Sequence, residues 1–171
     1  DTTGGNNTAN VAGADLVVGG ITVVGGGTVS IRGTDDSPIE AFDVGASSTI
    51  DVQGTSTLQM TTSSGSRLNF SFDTGVHKTG TGKMNMTAYF QNITFGAGTF
   101  YVDAGTLGLG GNKLIDGDGA TWQIADGATV QVQSDGGLGA YNGNDIGGVS
   151  GTGTLENGTG NAKSLAIGVG N

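Results

Sequence analysis

The chain has 171 residues, a formal net charge of −9 with only six lysines and arginines, 36 glycines, one proline and no cysteine. Its acidic charge argues against nucleic acid and anionic lipid as partners, and the lack of cysteine excludes disulfides and thiolate metal ligands. A glycine excess without proline is neither collagen-like nor a proline-rich linker, and no apolar run approaches the length that spans a bilayer.

One short phrase recurs along the chain. It has two or three small or turn-forming residues, often with threonine or serine, followed by two apolar residues that are separated by one position. In chain order its copies are 25–31, 45–52, 64–70, 80–86, 96–102, 103–109, 118–124, 126–132 and 151–157, the last keeping only the first apolar position. Apolar residues two apart are typical of β-strands. The sequence therefore predicts an all-β chain.

The spacing of these copies favours a solenoid. From Val29 to Ile50 is 21 residues, and from Val130 to Leu155 is 25. If each phrase forms one rung, like residues stack about 4.8 Å apart and build a thin continuous core. We therefore predict a parallel β-solenoid of about seven short coils. Asp-Gly and Asn-Gly pairs also form two-residue hairpins, so an antiparallel β-sandwich or jelly-roll filament subunit remains the alternative.

The two ends of the chain are predicted to differ from its middle. Residues 1–171 form one domain, in which the polar segment 1–15 is an N-terminal cap or arm and 164–171 is an open terminal strand. A solenoid exposes a strand edge at each end unless it is capped. We therefore predict an assembly edge, at which copies associate head to tail, formed by Leu165, Ile167 and Val169.

Three phrases resemble the strand repeats of bacterial autotransporter passenger domains: GAGTFYVDAGTLGLGG and DGATWQIADGATVQV, within 93–132, and GTGTLEN at 151–157. The resemblance implies a right-handed parallel β-helix on the outer surface of the cell, with a role in adhesion, aggregation or biofilm formation. It carries over no catalytic residue.

A carbohydrate-binding or carbohydrate-active module on a β-helix is the alternative function. It requires aromatic side chains exposed beside carboxylates, and the candidates are Phe100, Tyr101 and Trp122. Strand alternation predicts that Phe100 and Trp122 point inward and that Tyr101 points outward. The only histidine, His77, is expected in a loop near Asp73, without a nucleophile beside it. We therefore predict no enzyme activity, no catalytic residue and no cofactor.

Two further kinds of site follow from residue type. Oxygen ligands beside glycine make Asp116, Asp118, Asn144 and Asp145 weak calcium candidates, although turn chemistry also explains these residues. Asn-x-Ser/Thr sequons, which are acceptors for glycosylation in secreted proteins, begin at Asn6, Asn69, Asn85, Asn92 and Asn157.

The predicted protein is thus an extracellular or cell-surface structural or adhesive element. Its expected partners are other copies of itself, or cell-surface molecules and glycans, without nucleic acid and without direct insertion into a membrane.

Overall fold

The computed structural model describes residues 6–11, 16–33, 40–62, 68–88, 93–111, 115–132, 145–157 and 166–168. All regular secondary structure in these residues is β-strand. In chain order the strands are β1 (Asn7–Val11), β2 (Leu16–Val23), β3 (Thr28–Gly33), β4 (Glu40–Val52), β5 (Thr57–Thr62), β6 (Leu68–Phe72), β7 (His77–Thr79), β8 (Lys83–Ala88), β9 (Ile93–Phe95), β10 (Gly98–Val102), β11 (Thr106–Gly111), β12 (Ile115–Ile124), β13 (Thr129–Val132), β14 (Asp145–Gly151), β15 (Thr154–Asn157) and β16 (Ala166–Ile167).

The strands form two sheets, and the chain returns to sheet A after each passage of one or two strands through sheet B. Sheet A has seven strands in the order β1-β3-β5-β8-β11-β13-β15, and sheet B contains the other nine. Every pairing between described strands is parallel. This confirms the predicted all-β parallel solenoid, and it contradicts the antiparallel sandwich, because parallel neighbours cannot be joined by tight hairpins.

The rule that each phrase forms one coil is wrong. The adjacent phrases 96–102 and 103–109 form β10 in sheet B and β11 in sheet A, on either side of a glycine corner. The phrases 118–124 and 126–132 repeat this arrangement one coil later, so that Phe100 lies beside Trp122 and Leu107 beside Val130. A coil therefore contains strands of both sheets. Strands of both sheets need the same alternation of apolar residues and the same kind of glycine corner. A copy of the phrase therefore does not reveal to which sheet its strand belongs.

The core lies between the inward faces of the two sheets. In sheet A, Leu58, Met84, Leu107 and Val130 lie in one register column and are fully buried. Burial of each such side chain contributes about 1.5–3 kcal/mol.

Sheet B adds an aromatic cluster to this core. The ring centroids of Phe72 and Phe95 are 5.3 Å apart, and those of Phe95 and Trp122 are 5.4 Å apart. Both Phe100 and Trp122 are buried and Tyr101 is half-exposed, which confirms the predicted alternation. The core is thin but continuous along the stack.

The two predicted end segments are partly described. Within 1–15, Asn7–Val11 forms β1 and pairs with β3 in sheet A. Within 164–171, Ala166 and Ile167 form β16, which pairs with β14 in sheet B. Residues 1–5, 12–15, 158–165 and 169–171 lie outside the described residues.

Candidate functional site

Exposed large apolar side chains mark both ends of the stack. Among the described residues, those exposed are Leu16, Val17, Val24, Leu155 and Ile167. The first two lie in β2, the first strand of sheet B, and Val24 follows that strand directly. The last two lie in β15 and β16, the last described strands of sheets A and B. In the described middle of the stack, side chains of this size are buried or half-buried. The exposed apolar side chains of the described residues are therefore concentrated in the first and last coils.

The predicted assembly edge is represented by Ile167, because Leu165 and Val169 lie outside the described residues. Ile167 pairs with the fully buried Ile146 and is itself 52% exposed. The Gly168 amide donates to the Ile146 carbonyl at 2.9 Å, which fixes this last strand on sheet B. Ile167 thus extends a core column to the end of the described stack, where its outer side meets solvent.

The matching edge of sheet A is formed by β15. Leu155 lies beside the buried Val130 and is 37% exposed. On the outer face of the sheet, Gln131 Nε2 of β13 donates to Glu156 Oε1 of β15 at 2.6 Å. A side-chain hydrogen bond therefore also links β15 to β13. Leu155 belongs to a column that is buried in the middle of the stack, and it is exposed here because β15 is the last described strand of sheet A.

The interior contains a fully buried lysine that the sequence analysis missed. Lys78 in β7 lies in register with Ile50 and with Val102, two buried aliphatic residues. Its ammonium group donates to four backbone carbonyls, those of Thr79 at 3.1 Å and of Gly80, Gly82 and Ala104 at 2.8 Å each. The ammonium therefore joins two successive corners of the solenoid, at 79–82 and at 103–105.

Glycine makes room for this arrangement. A Cβ atom on Gly105, whose φ is 67°, would lie 2.8 Å from Lys78 Nζ and would overlap the carbonyl oxygens of Gly80 and Gly82. Burial lowers the pKa of the Lys78 ammonium from 10.5 to about 8, and the nearby carboxylate of Asp51 opposes that shift. The sequence contained one signal for this buried lysine. Lys78 lies two residues after Val76, so strand alternation places both side chains on the inward face.

His77 lies on the outer face of sheet B. It begins β7 rather than lying in a loop, and its partner is Asp103 rather than Asp73. The His77 Nδ1 atom is 2.7 Å from Asp103 Oδ2, so Nδ1 donates to the carboxylate. The imidazole also stacks on the Tyr101 ring, with centroids 4.2 Å apart and planes 3° apart.

This stacking bears on the carbohydrate-binding alternative. Sugar recognition by an aromatic residue requires an open ring face, whereas His77 covers one face of Tyr101. Phe100 and Trp122 are in the core. Of the three aromatic candidates named from the sequence, Tyr101 alone is at the surface, and one face of its ring is occupied by His77.

The outer face of sheet A presents columns of hydroxyl and amide groups. Thr106, Thr129 and Thr154 lie in register on three successive strands. In the neighbouring column, Asn85 Nδ2 donates to Gln59 Oε1 at 3.1 Å. The sequence did not reveal these columns, because the recurring phrase does not show which of its copies lie next to each other in the same sheet.

The sequons differ in accessibility. Asn6 and Asn157 are exposed, whereas Asn69 and Asn85 are half-buried within strands β6 and β8. Asn85 is held by Gln59, and its Oδ1 atom is buried. Asn92 lies outside the described residues. Asn6 and Asn157 therefore offer the more accessible acceptor amides.

The calcium candidates are described only in their backbone. Asp116 and Asp118 lie in β12, Asp145 begins β14 and pairs with Asp116, and Asn144 lies outside the described residues. Among the residues that the structure describes, no group of three or more histidine, cysteine, aspartate or glutamate side chains is arranged to hold a metal ion.

The chain matches no protein-family profile, no curated protein and no solved structure. In the described part of the chain, no helix has the length and apolar character to cross a bilayer.

Proposed function

We propose that this protein is an extracellular structural or adhesive element, displayed at a cell surface or self-assembling into filaments by strand-edge pairing. The observation that carries this proposal is the position of the exposed apolar side chains, which lie in the first and last described coils of the stack. A strand edge with apolar residues beside it pairs readily with another strand.

The geometry of the stack supports a filament rather than a closed dimer. The two end faces are different surfaces, so contact between the end of one copy and the beginning of the next is head to tail. A head-to-tail contact whose rotation does not close a ring extends as a filament.

The sides of the stack suit lateral display. The outer faces and corners of the solenoid present hydroxyl, amide and carboxylate groups, such as those of Thr129 and Gln131 on sheet A and of Asp103 at a corner. With a net charge of −9, parallel rods repel each other laterally, and this repulsion weakens as salt screens it. End-to-end growth is therefore favoured over lateral clumping at low salt.

The proposal is tested by analytical ultracentrifugation and negative-stain electron microscopy of the untagged protein over a range of concentrations. We expect species that lengthen with concentration and appear as thin rods. Ile167→Lys, or deletion of 164–171, shortens these rods while the far-ultraviolet circular dichroism spectrum stays that of the parent.

The matched control is Gln123→Lys, which adds the same charge at an exposed position of β12, away from the ends. Gln123→Lys is expected to assemble like the parent. A parent protein that stays monomeric at all concentrations contradicts the proposal, and so does equal assembly of the Ile167→Lys and Gln123→Lys proteins.

A further inference from the structure

We propose that copies of this chain join in continuous register, with β1 of one copy pairing in parallel with β15 of the copy before it. This inference rests on the proposed self-association and specifies its interface: in sheet A, Glu156 faces Thr8 of the second copy and Leu155 faces Asn7 of the second copy.

The order of the strands makes the two ends complementary. The first described strand, β1, lies in sheet A, and the last two, β15 and β16, lie in sheets A and B. β16 pairs with the first residues of β14, and the first residues of β2 pair with the first residues of β4. A second copy therefore supplies the strand next to β15 with β1 and the strand next to β16 with the first residues of β2.

Parallel pairing also makes the edges match. In sheet A, an inner strand such as β11 is covered by β8 on one edge and by β13 on the other, in the same direction. The outer edge of β15 is equivalent to the edge of β13 that binds β15, and the outer edge of β1 is equivalent to the edge of β5 that binds β3. The solenoid's own pairing thus shows that another coil of this kind fits each end face.

The register follows from the columns. Gln131 faces Glu156 at one end of sheet A, and Thr8 faces Ser30 at the other. Stepping one strand beyond β15 brings Thr8 of a second copy opposite Glu156. In sheet B, Val18 pairs with the buried Val44, and Ile167 pairs with the buried Ile146. Val18 and Ile167 therefore both occupy inward positions. The same step of one strand brings Val18 of the second copy toward Ile167. Val18 of the second copy then covers Ile167.

Disulfide trapping tests this register cleanly, because the chain has no cysteine of its own. One protein carries Glu156→Cys and the other carries Thr8→Cys, both at exposed outward positions. Adjacent parallel strands bring paired Cα atoms to about 4.8 Å, within disulfide range. We expect oxidation of the assembled equimolar mixture to link about half of the chains into heterodimers, because a Glu156→Cys copy is followed by a Thr8→Cys copy at about half of its junctions. Neither protein alone should form more than a trace.

The displaced control combines Thr154→Cys with Thr8→Cys. Thr154 is exposed on the same face of β15 but lies two residues from Glu156, which places the Cα atoms about 8 Å apart, beyond disulfide range. We expect this mixture to assemble without linking.

Sedimentation of the reduced mixtures separates the two proposals. Assembly with linkage of the Glu156→Cys and Thr8→Cys pair alone supports the register. Assembly in which the displaced pair links equally well, or in which neither pair links, overturns the register and leaves the proposed function standing. A mixture that does not assemble, together with a monomeric parent protein, overturns both.

Discussion

Lys78 lies directly beside Ile50 in the register of sheet B, so an ammonium group occupies a position that its neighbouring coil fills with an aliphatic side chain. Both residues are fully buried. Donation to four backbone carbonyls offsets part of the cost of removing this charge from water. Two successive corners of the solenoid depend on this one side chain.

Replacing Lys78 with methionine is expected to destabilise the fold. Methionine suits the aliphatic column, but it leaves the corner carbonyls without their ammonium donor, which should lower the free energy of unfolding by about 2–4 kcal/mol. Urea denaturation measures this loss. Lys83→Met, at a half-exposed position on sheet A, is the control and should change stability little. An equal or higher stability of Lys78→Met would show that the desolvation cost of Lys78 exceeds the value of its hydrogen bonds.

The pH dependence of stability should also reveal Lys78. Because burial lowers the pKa of Lys78 from 10.5 to about 8, the unfolded chain binds more protons than the folded chain between these two values. Lys78 therefore makes stability rise with pH in that window, by at most about 1.4 kcal/mol per pH unit.

The measurement is the difference in unfolding free energy between the parent and Lys78→Met at pH 7, 8, 9 and 10. The difference removes the titration of all other groups. Since the parent gains stability from Lys78 as pH rises through this window and the variant does not, the difference should grow. A difference that is constant with pH would contradict the lowered pKa.

The architecture was predictable because it rests on side-chain pattern. Alternation such as Val130-Gln131-Val132 dictates a strand with one buried face, and glycine at corners such as Gly127 supplies the positive φ that a tight turn needs. Both signals are local, so the sequence predicted an all-β chain, and the recurrence of one phrase favoured the parallel solenoid over the antiparallel sandwich that remained as the alternative. It did not show which phrases share a sheet, because Phe100 and Leu107 sit in nearly identical phrases and yet lie on different sheets.

The interior cation site and the surface pair could not be predicted for a related reason. Lys78 binds backbone carbonyls, and a sequence pattern does not reveal where carbonyl groups converge. His77 and Asp103 are 26 residues apart, so their contact follows only from the correct coil length. Asp73 was nearer in sequence but lies at a different corner. Predicting contacts between coils therefore requires the register of the strands, which only the structure provides.

The His77–Asp103 pair should contribute little to stability. Both side chains are about 40% exposed, so solvent screens their attraction, and exposed ion pairs are typically worth about 0.2–1 kcal/mol. A double-mutant cycle with His77→Ala and Asp103→Ala, measured by urea denaturation, is expected to give a coupling energy in that range. The coupling should decrease in 1 M salt, where screening is strong. A coupling above about 2 kcal/mol would contradict this assignment as a surface interaction.

Two glycines at equivalent corners allow the packing around Lys78 to be measured separately from backbone strain. Gly105 and Gly127 both precede a sheet A strand by a short interval, with φ of 67° and 74°. A Cβ on Gly127 would meet no atom within 4 Å, whereas a Cβ on Gly105 would meet Lys78 Nζ and two backbone carbonyls. Both alanine variants incur the penalty for positive φ, and Gly105→Ala also disrupts the carbonyl cluster. We expect Gly105→Ala to lose about 1–3 kcal/mol more than Gly127→Ala in urea denaturation. Equal losses would show that the corner at Gly105 has room to relax and that the ammonium does not depend on close approach of the two coils.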